Sequence, residues 1–284
     1  MKVGIVGLGL IGGSVGLALR DPSRELVGFD PNPTNSKVAL DRFCIDRLGT
    51  LDEISRLDVV FVATPPDQVL GTLQHLSKIR SMRTVLTDCT SVKQSIAEWG
   101  LESGETKFVP GHPMAGHEKS GPGYASAWLF RGARWLLTPL KETDPVALQA
   151  VTELVSAMGA IPVLIDPLEH DRQVAVTSHL PHAFAGLLLK MAEGIRTEDL
   201  SGGSWKDLTR VGGVDPDLWS QIFLGNSEQL SQILSEASMN LGSLAIALKE
   251  ADKAAVHEFF QSAQSIKRAS SPSASSTGGT KKNK

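Results

Sequence analysis

Short apolar runs alternate with amphipathic stretches through the first half of the chain. Residues 3–6 form a β-branched run, and residues 15–19 follow with the spacing of a helix face. Further apolar runs are predicted as strands at residues 25–29, 57–63, 84–88, 107–110, 134–138 and 161–165. We expect the last two of these strands to lie at sheet edges. The alternation of strand and helix predicts a parallel, doubly wound α/β sheet.

Two helix starts can be placed within this half. Pro65 and Pro66 end the strand at residues 57–63, and Asp67 is positioned to cap the helix that follows. The apolar face of that helix repeats from residue 69 to residue 76. Residues 89–93 are expected to open the next helix, directly after the strand at residues 84–88.

The pattern changes near residue 166. From there to about residue 268 the apolar positions recur with helical spacing, and strand signals disappear. Residues 174–191 suit one long helix, in which Pro181 should cause a kink because it lacks an N–H and crowds the carbonyl of Thr177. The sequence therefore predicts an α/β domain at residues 1–165, an all-helical domain at residues 166–269 and a disordered tail at residues 270–284.

Composition excludes several classes of protein. The chain has 284 residues and a net charge of −3, which gives no reason to expect nucleic acid or an anionic membrane as partner. Cys44 and Cys89 are the only cysteines, so a disulfide framework or a thiolate metal site is not expected. The first strand begins at Lys2, and no apolar run approaches the roughly 18 residues of a membrane helix. We expect a cytoplasmic protein.

The first strand runs into a glycine pattern with a specific chemistry. Gly7, Gly9 and Gly12 form G-x-G-x-x-G between strand and helix, where they permit a tight turn, close approach of a pyrophosphate and close helix packing. Asp30 ends the second strand, where its carboxylate can accept hydrogen bonds from a ribose. No arginine follows at residues 31 or 32, so we expect NAD rather than NADP. The alternative is a glycine-rich turn that binds no nucleotide.

Ligands of open α/β sheets bind beyond the carboxyl ends of the strands. His112 follows the strand at residues 107–110, so it lies where a substrate would meet the nicotinamide and could take a hydroxyl proton. A solvated or structural loop histidine is the alternative. The residues expected at the cofactor are Gly7, Leu8, Gly9, Leu10, Ile11, Gly12, Asp30, Thr64, Pro65 and Ser91.

The other histidines give weaker signals. His179 and His182 could form half of a metal site, but no acid or cysteine nearby completes it, so no metal is expected and His179 could simply pack within its helix. Three further histidines lie in helical segments without partners in the pattern and are expected to be solvated or capping: His75, His170 and His257.

The stretches GLGLIG, TDCTSVK, GHPMAGHEKSG, SHLPH and DLTRVGG follow one another along the chain. In this order they resemble the prephenate and arogenate dehydrogenases of tyrosine biosynthesis, and the resemblance covers residues 1 to about 268. It implies a Rossmann-type domain, a helical dimerisation domain, a homodimer and NAD as cofactor. The implied reaction is oxidative decarboxylation of prephenate to 4-hydroxyphenylpyruvate, or of arogenate to tyrosine.

The resemblance also implies roles for individual residues. His112 is the base, Ser91 orients the nicotinamide and contacts the substrate hydroxyl, and Arg210 binds a substrate carboxylate. Glu118 and Asp207 pair with Arg210 at the pocket mouth. From the residues alone, Arg210 could equally be a surface arginine paired with Asp207.

Three more positions are implied to contact the substrate. His179 and His182 line its pocket, and Trp219 reaches the pocket of the neighbouring subunit. Arogenate-specific relatives tend to lack the second of these histidines, so His182 favours prephenate. His117 stands where threonine is common and is assigned no role.

Two other functions remain open. A β-hydroxyacid dehydrogenase would carry K-x-x-N on the helix after the sheet, but Lys190 is followed by Met191, Ala192 and Glu193. An NAD-binding sensor without catalytic activity would leave His112 without a role. Arogenate as substrate and NADP as cofactor also remain open.

Overall fold

The computed structural model describes residues 1–196 and 202–270; apart from Ser270, the predicted tail lies outside these ranges. The first sheet has six strands. They are β1 (Lys2–Val6), β2 (Glu25–Phe29), β3 (Arg47–Leu48), β4 (Val59–Val62), β5 (Val85–Asp88) and β6 (Phe108–Val109). All pairings are parallel, in the order β3-β2-β1-β4-β5-β6. This confirms the predicted parallel, doubly wound sheet.

Helices cover both faces of this sheet. They are α1 (Leu10–Leu19), α2 (Pro33–Asp41), α3 (Leu51–Ile54), α4 (Pro66–Ile79), α5 (Gln94–Glu102) and α6 (Pro145–Ala157). Successive residues of β1 and β4 alternate between two apolar cores: Ile5 and Phe61 belong to one, Val6 and Val60 to the other. The prediction that Asp67 caps α4 is wrong. The helix begins at Pro66, so Asp67 already lies inside its first turn.

A second, three-stranded sheet contains β7 (Gly111–Pro113), β8 (Arg134–Leu137) and β9 (Ile161–Leu164). β7 is antiparallel to β8, and β8 is parallel to β9. The expectation that β8 and β9 both lie at sheet edges is confirmed for β9 and wrong for β8, which lies between β7 and β9. His112 lies within β7, opposite Leu136, and not in a free loop.

Helices follow β9. They are α7 (Pro167–Val174), α8 (Leu180–Met191), α9 (Gly203–Thr209), α10 (Pro216–Gly225), α11 (Ser227–Lys249) and α12 (Lys253–Ser270). The chain divides into two compact units, residues 1–230 and residues 231–284. No helix in the described part of the chain is long and apolar enough to span a membrane.

The predicted single helix over residues 174–191 is interrupted. A π-helical turn, Ala175–His179, separates α7 from α8, and Pro181 lies in the first turn of α8. Proline lacks the N–H that a continuous α-helix would require there, and the wider turn accommodates that loss. One turn on, Nδ1 of His182 lies 2.8 Å from the carbonyl oxygen of Ser178.

Gly16 packs its backbone against the chain that follows α2. A Cβ on Gly16 would lie 1.8 Å from the carbonyl oxygen of Cys44, which cannot move without shifting backbone. We expect Gly16→Ala to lower the free energy of unfolding by about 3 kcal/mol, the upper part of the range for overpacking.

The matched control is Gly71→Ala in α4, where a Cβ meets no atom within 4 Å. It should stabilise the protein by about 0.5–1 kcal/mol because alanine favours the helix. Urea unfolding of both variants measures the difference; equal stabilities would contradict this account of Gly16.

Candidate active site

The glycine loop is shaped to receive a phosphate group. Gly7 has φ +92°, and a Cβ on Gly12 would lie 1.9 Å from the carbonyl oxygen of Gly7. A Cβ on Gly9 would meet no atom within 4 Å, so the space above this residue is open. Gly9 is the N-cap of α1 and has no side chain to cap it, which leaves the first N–H groups of the helix available to an anion. These features fit the pyrophosphate of a dinucleotide.

Asp30 connects this loop to the second strand. Its Oδ2 accepts a hydrogen bond from the N–H of Leu8 at 2.8 Å, and its Oδ1 accepts one from the N–H of Asn32 at 2.8 Å. The carboxylate is half-buried at the tip of β2 and keeps further lone pairs for a ribose. The sequence predicted the ribose contact but not the bond that holds the glycine loop.

The other residues expected at the cofactor lie at the same edge of the sheet, because the carboxyl ends of parallel strands meet there. Thr64 and Pro65 follow β4, and the backbone of residues 63–64 contacts Gly7. Ser91 follows β5 and is half-buried. Leu8 is fully buried, whereas Leu10 and Ile11 are partly exposed at the start of α1.

A buried ion pair joins the end of β5 to the strand that carries His112. Lys93 and Asp88 are both fully buried and in direct contact. Nζ of Lys93 also donates to the carbonyl oxygen of Gly111 at 2.7 Å, and Oδ1 of Asp88 accepts from the N–H of Gly111 at 3.1 Å. Hydrogen bonds beyond the ion pair offset part of the cost of burying both charges, and the two bonds to Gly111 do so here. The pair therefore fixes His112 relative to the loop that carries Ser91.

His112 is the first member of a chain of buried polar side chains. Its Nδ1 lies 2.9 Å from Nε2 of His170, and Nδ1 of His170 lies 2.7 Å from Oδ1 of Asp171. His170 and Asp171 are 0% and 1% exposed, and His112 is 8% exposed. The expectation that His170 is solvated or capping is therefore wrong, because it packs against His112 within the site.

Asp171 also holds the start of α5. Its two carboxylate oxygens accept hydrogen bonds from the N–H groups of Lys93 and Gln94, each at 2.9 Å. The expectation that residues 89–93 open this helix is displaced by one residue, since α5 begins at Gln94. Sequence reasoning missed His170 and Asp171, although His170 and Val174 are one helical turn apart and so share a face. The sequence signal that could have shown their burial is that His170 shares a helix face with an apolar residue, Val174.

Burial keeps the histidines of the site neutral. It lowers the pKa of His112 well below the usual value for histidine, and the neighbouring charges of His170, Lys93 and His179 act in the same direction. Burial also lowers the pKa of His170, against the opposing effect of Asp171, and it lowers the pKa of His179 to about 4. A neutral imidazole can accept a proton, which the charged form cannot.

His179, His182 and Trp219 form an aromatic cluster next to this chain. The ring of Trp219 stacks on His182 with 3.6 Å between centroids, and it meets His179 edge-on at 6.3 Å. His179 is 1% exposed, and its Nδ1 lies 3.2 Å from Nδ2 of Asn226, which also donates to the carbonyl oxygen of Asp171 at 2.8 Å. Among the described residues, no His, Cys, Asp and Glu side chains form a group of three suited to a metal ion.

The resemblance implied contacts for Trp219 and for Arg210. Trp219 stacks on His182 of its own chain, and its reach into the pocket of a neighbouring subunit stays a prediction. Arg210 begins a 3₁₀ turn, Arg210–Gly212, after α9 and is exposed. Within residues 1–196 and 202–270 it forms no ion pair with Glu118 or Asp207. Its charge is close enough to His182 to lower the pKa of that ring, although burial is the larger cause.

Comparison with known proteins matches both halves of the chain. A family model described as "Prephenate dehydrogenase, nucleotide-binding domain" matches residues 15–164, and one described as "Prephenate dehydrogenase, dimerization domain" matches residues 166–262. Prephenate dehydrogenase of Lactococcus lactis is 30% identical over 280 residues, which cover 94% of this chain and 77% of that protein.

Two solved structures are similar over nearly the whole chain. Prephenate dehydrogenase from A. aeolicus, in complex with hydroxyphenyl propionate and NAD+, is 31% identical with a TM-score of 0.84, covering 95% of this chain and 97% of its own. Synechocystis arogenate dehydrogenase is 30% identical with a TM-score of 0.82, covering 95% of this chain and 99% of its own. With a glycine loop, a buried histidine at the sheet edge and matches of this extent, the chain belongs to the prephenate dehydrogenase family.

Proposed function

We propose that this protein catalyses the NAD-dependent oxidative decarboxylation of prephenate to 4-hydroxyphenylpyruvate, a step of tyrosine biosynthesis. The observation that carries the proposal is His112, a neutral, buried histidine whose Nδ1 is engaged by His170 at the nucleotide edge of the sheet. Its Nε2 is thereby left for a substrate. The similar A. aeolicus enzyme, solved with hydroxyphenyl propionate and NAD+, supports the substrate class.

His112 acts as the general base. Its Nε2 takes the proton of the ring hydroxyl, while bound NAD⁺ supplies the acceptor for a hydride from the carbon that bears this hydroxyl. The bond from the ring to its carboxylate then breaks, CO₂ leaves, and the electron pair enters the ring to give a phenolate. His112 can return its proton to that oxygen, so the protein gains or loses no proton over the cycle. Formation of the aromatic ring makes the reaction strongly favourable.

Ser91 and the glycine loop position the two reactants. The loop and the uncapped start of α1 hold the pyrophosphate, Asp30 accepts from the adenosine ribose, and residues 64–65 complete that edge. Ser91, half-buried in the loop tied by Lys93 to the strand of His112, is placed to orient the nicotinamide and the substrate hydroxyl. Such positioning contributes most of what a dehydrogenase needs, because the cofactor carries the redox chemistry.

Arg210, His182 and Trp219 receive the side chain of the substrate. Arg210 has no acidic partner among the described residues, so its planar guanidinium can bind a carboxylate with two parallel hydrogen bonds. His182 and the ring stacked on it supply a neutral, flat surface beside that cation. His179 lies beneath this surface and supports it, since it is almost fully buried.

Arogenate is the second candidate substrate, because the Synechocystis arogenate dehydrogenase has nearly the same fold. Arogenate differs from prephenate only at the side chain, where an amino group replaces a keto group. Turnover of arogenate would give tyrosine with the same use of His112. The presence of His182 favours prephenate.

We also propose that the active protein is a homodimer formed through the C-terminal helices. Residues 166–262 match a family model named for dimerisation. Within residues 231–270, large apolar side chains are exposed, among them Met239 at 65%, Leu248 at 62% and Phe260 at 63%. Soluble proteins seldom expose apolar groups of this number on neighbouring helices unless another surface covers them.

The proposed function is tested by a four-way assay of prephenate or arogenate with NAD⁺ or NADP⁺, following the reduced cofactor. We expect the highest kcat/KM with prephenate and NAD⁺. A preference for NADP⁺ would contradict our interpretation of Asp30, and a preference for arogenate would contradict that of His182. The absence of turnover in all four combinations would reject the enzyme and favour a sensor.

The pH profile tests whether His112 is the base. Because its pKa lies well below the usual value, it stays unprotonated as the pH falls, so kcat/KM for prephenate should remain nearly constant from pH about 8 to about 6. The titratable groups that act on His112 are His170, Lys93 and His179, and Asp171 and Asp88 act in turn on His170. If kcat/KM instead falls toward low pH with an apparent pKa near that of ordinary histidine, His112 is solvated in the working enzyme.

Arg210 is tested by substitution. Arg210→Ala should raise KM for prephenate by about 10- to 100-fold, since loss of a charged hydrogen bond costs about 1.5–3 kcal/mol. Arg210→Lys should recover only part, because an ammonium cannot form the paired bonds. Arg56→Ala, at an exposed arginine paired with Asp52, is the control and should leave KM unchanged. A lower Tm for Arg210→Ala with an unchanged KM would assign Arg210 a structural role instead.

A further inference from the structure

The chain of side chains behind His112 ends in two groups that are closed off from solvent. His170 is 0% exposed and Asp171 is 1% exposed. His170 lies between the proposed base and the carboxylate of Asp171, at 2.9 and 2.7 Å. Groups buried this completely act on a reaction only through their neighbours.

The hydrogen-bond partners determine where the protons of this chain lie. A carboxylate only accepts hydrogen bonds, so Nδ1 of His170 must carry the proton that faces Asp171. His170 is neutral because burial lowers its pKa, and its other nitrogen, Nε2, is therefore an acceptor. It follows that Nδ1 of His112 carries a proton and donates it to His170, which leaves the lone pair of His112 on Nε2.

We propose that His170 and Asp171 are positioning residues that hold the base in its reactive tautomer. Asp171 fixes the proton of His170 on Nδ1, and His170 in turn fixes the proton of His112 on Nδ1, so that Nε2 of His112 faces the substrate unprotonated. This inference rests on the proposed function, in which that nitrogen takes the hydroxyl proton. In serine proteases an acid that holds a histidine in one tautomer contributes in the same way, and its loss there costs about 10⁴-fold in kcat.

The neighbouring backbone holds the carboxylate of Asp171 in contact with His170. Both oxygens of Asp171 also accept from the backbone of Lys93 and Gln94, so the carboxylate cannot rotate away from His170. Among the described residues, the hydrogen-bond acceptors of Nζ of Lys93 are Asp88 and Gly111 and neither histidine. When His112 becomes protonated, its bond to His170 becomes charge-assisted and therefore stronger. The pair thus stabilises the form of the base that appears during the reaction.

Two substitutions in the full-length protein separate positioning from packing. His170→Phe keeps a ring between His112 and Asp171 but removes the acceptor. His170→Gln offers an amide oxygen near the place of Nε2, so it can restore the acceptor. We expect kcat with prephenate to fall about 10²-fold or more for the phenylalanine variant, with about 10-fold recovered by glutamine. KM for NAD⁺ should change less than about threefold, because the glycine loop is untouched.

A matched control shows what a merely structural loss looks like. Thr84→Val removes a fully buried hydrogen bond to the carbonyl oxygen of Ser55, at the end of β5 away from Asp88. It should lower Tm and leave kcat unchanged.

The pH dependence gives a further test. The loss of kcat in His170→Phe should become smaller as the pH is raised from about 7 to about 9, because hydroxide can then take the proton. A phenylalanine variant that keeps kcat within threefold, or that loses kcat only in proportion to Tm with no rescue by glutamine, would overturn the proposal.

A second measurement does not depend on turnover. In protein labelled with ¹⁵N-histidine, Nδ1 of His112 should be protonated and Nε2 unprotonated, with the signals assigned by their loss in His112→Asn. In His170→Phe the two nitrogens should share the proton. The opposite tautomer in the unsubstituted protein would overturn the proposal even if prephenate is turned over. The expected tautomer without turnover would reject the proposed function alone.

Discussion

The carboxylate of Asp171 is the contact on which the geometry of the site depends. Its two oxygens receive the first N–H groups of α5 and the ring of His170, so one side chain of the helical half determines positions in the sheet half. The loop before α5 carries Ser91, and His170 orients His112. Helix capping and orientation of the base are therefore one interaction. An asparagine in this position would turn an amide donor toward groups that are themselves donors.

Desolvation has two effects in this site. Burying the side chains of His112, His170, Asp171, His179 and Asn226 removes their hydration, which is tolerable only because each meets a partner. The same loss of water depresses the pKa of the histidines and keeps the base neutral. Stability and reactivity therefore depend on the same exclusion of water, and a change that admits water to the site would affect both.

The features predicted from sequence are those that local patterns encode. Strand and helix alternation, the glycine loop and Asp30 each depend on residues close together in the chain, and the parallel, doubly wound sheet follows from the alternation. The pairing of β7 with β8 and the burial of His170 depend on residues distant in sequence. His112 and His170 are 58 residues apart, and no local periodicity relates them. The surroundings of Arg210 were also missed: Asp207, one turn earlier, suggested an ion pair, whereas Arg210 begins a 3₁₀ turn and the two side chains, both among the described residues, form no ion pair.

The π-helical turn Ala175–His179 constrains how this part of the chain can change in length. A π turn contains an additional residue compared with an α-turn, and each residue of an α-helix rotates the chain by about 100°. Deleting one residue here would restore an ordinary helix but rotate all of α8 relative to α7. His182 would then no longer lie on the side of the helix where Asp171 and His170 meet the sheet. Insertions and deletions that exposed loops accept freely are therefore excluded from this helical segment, and its length is a functional property of the protein.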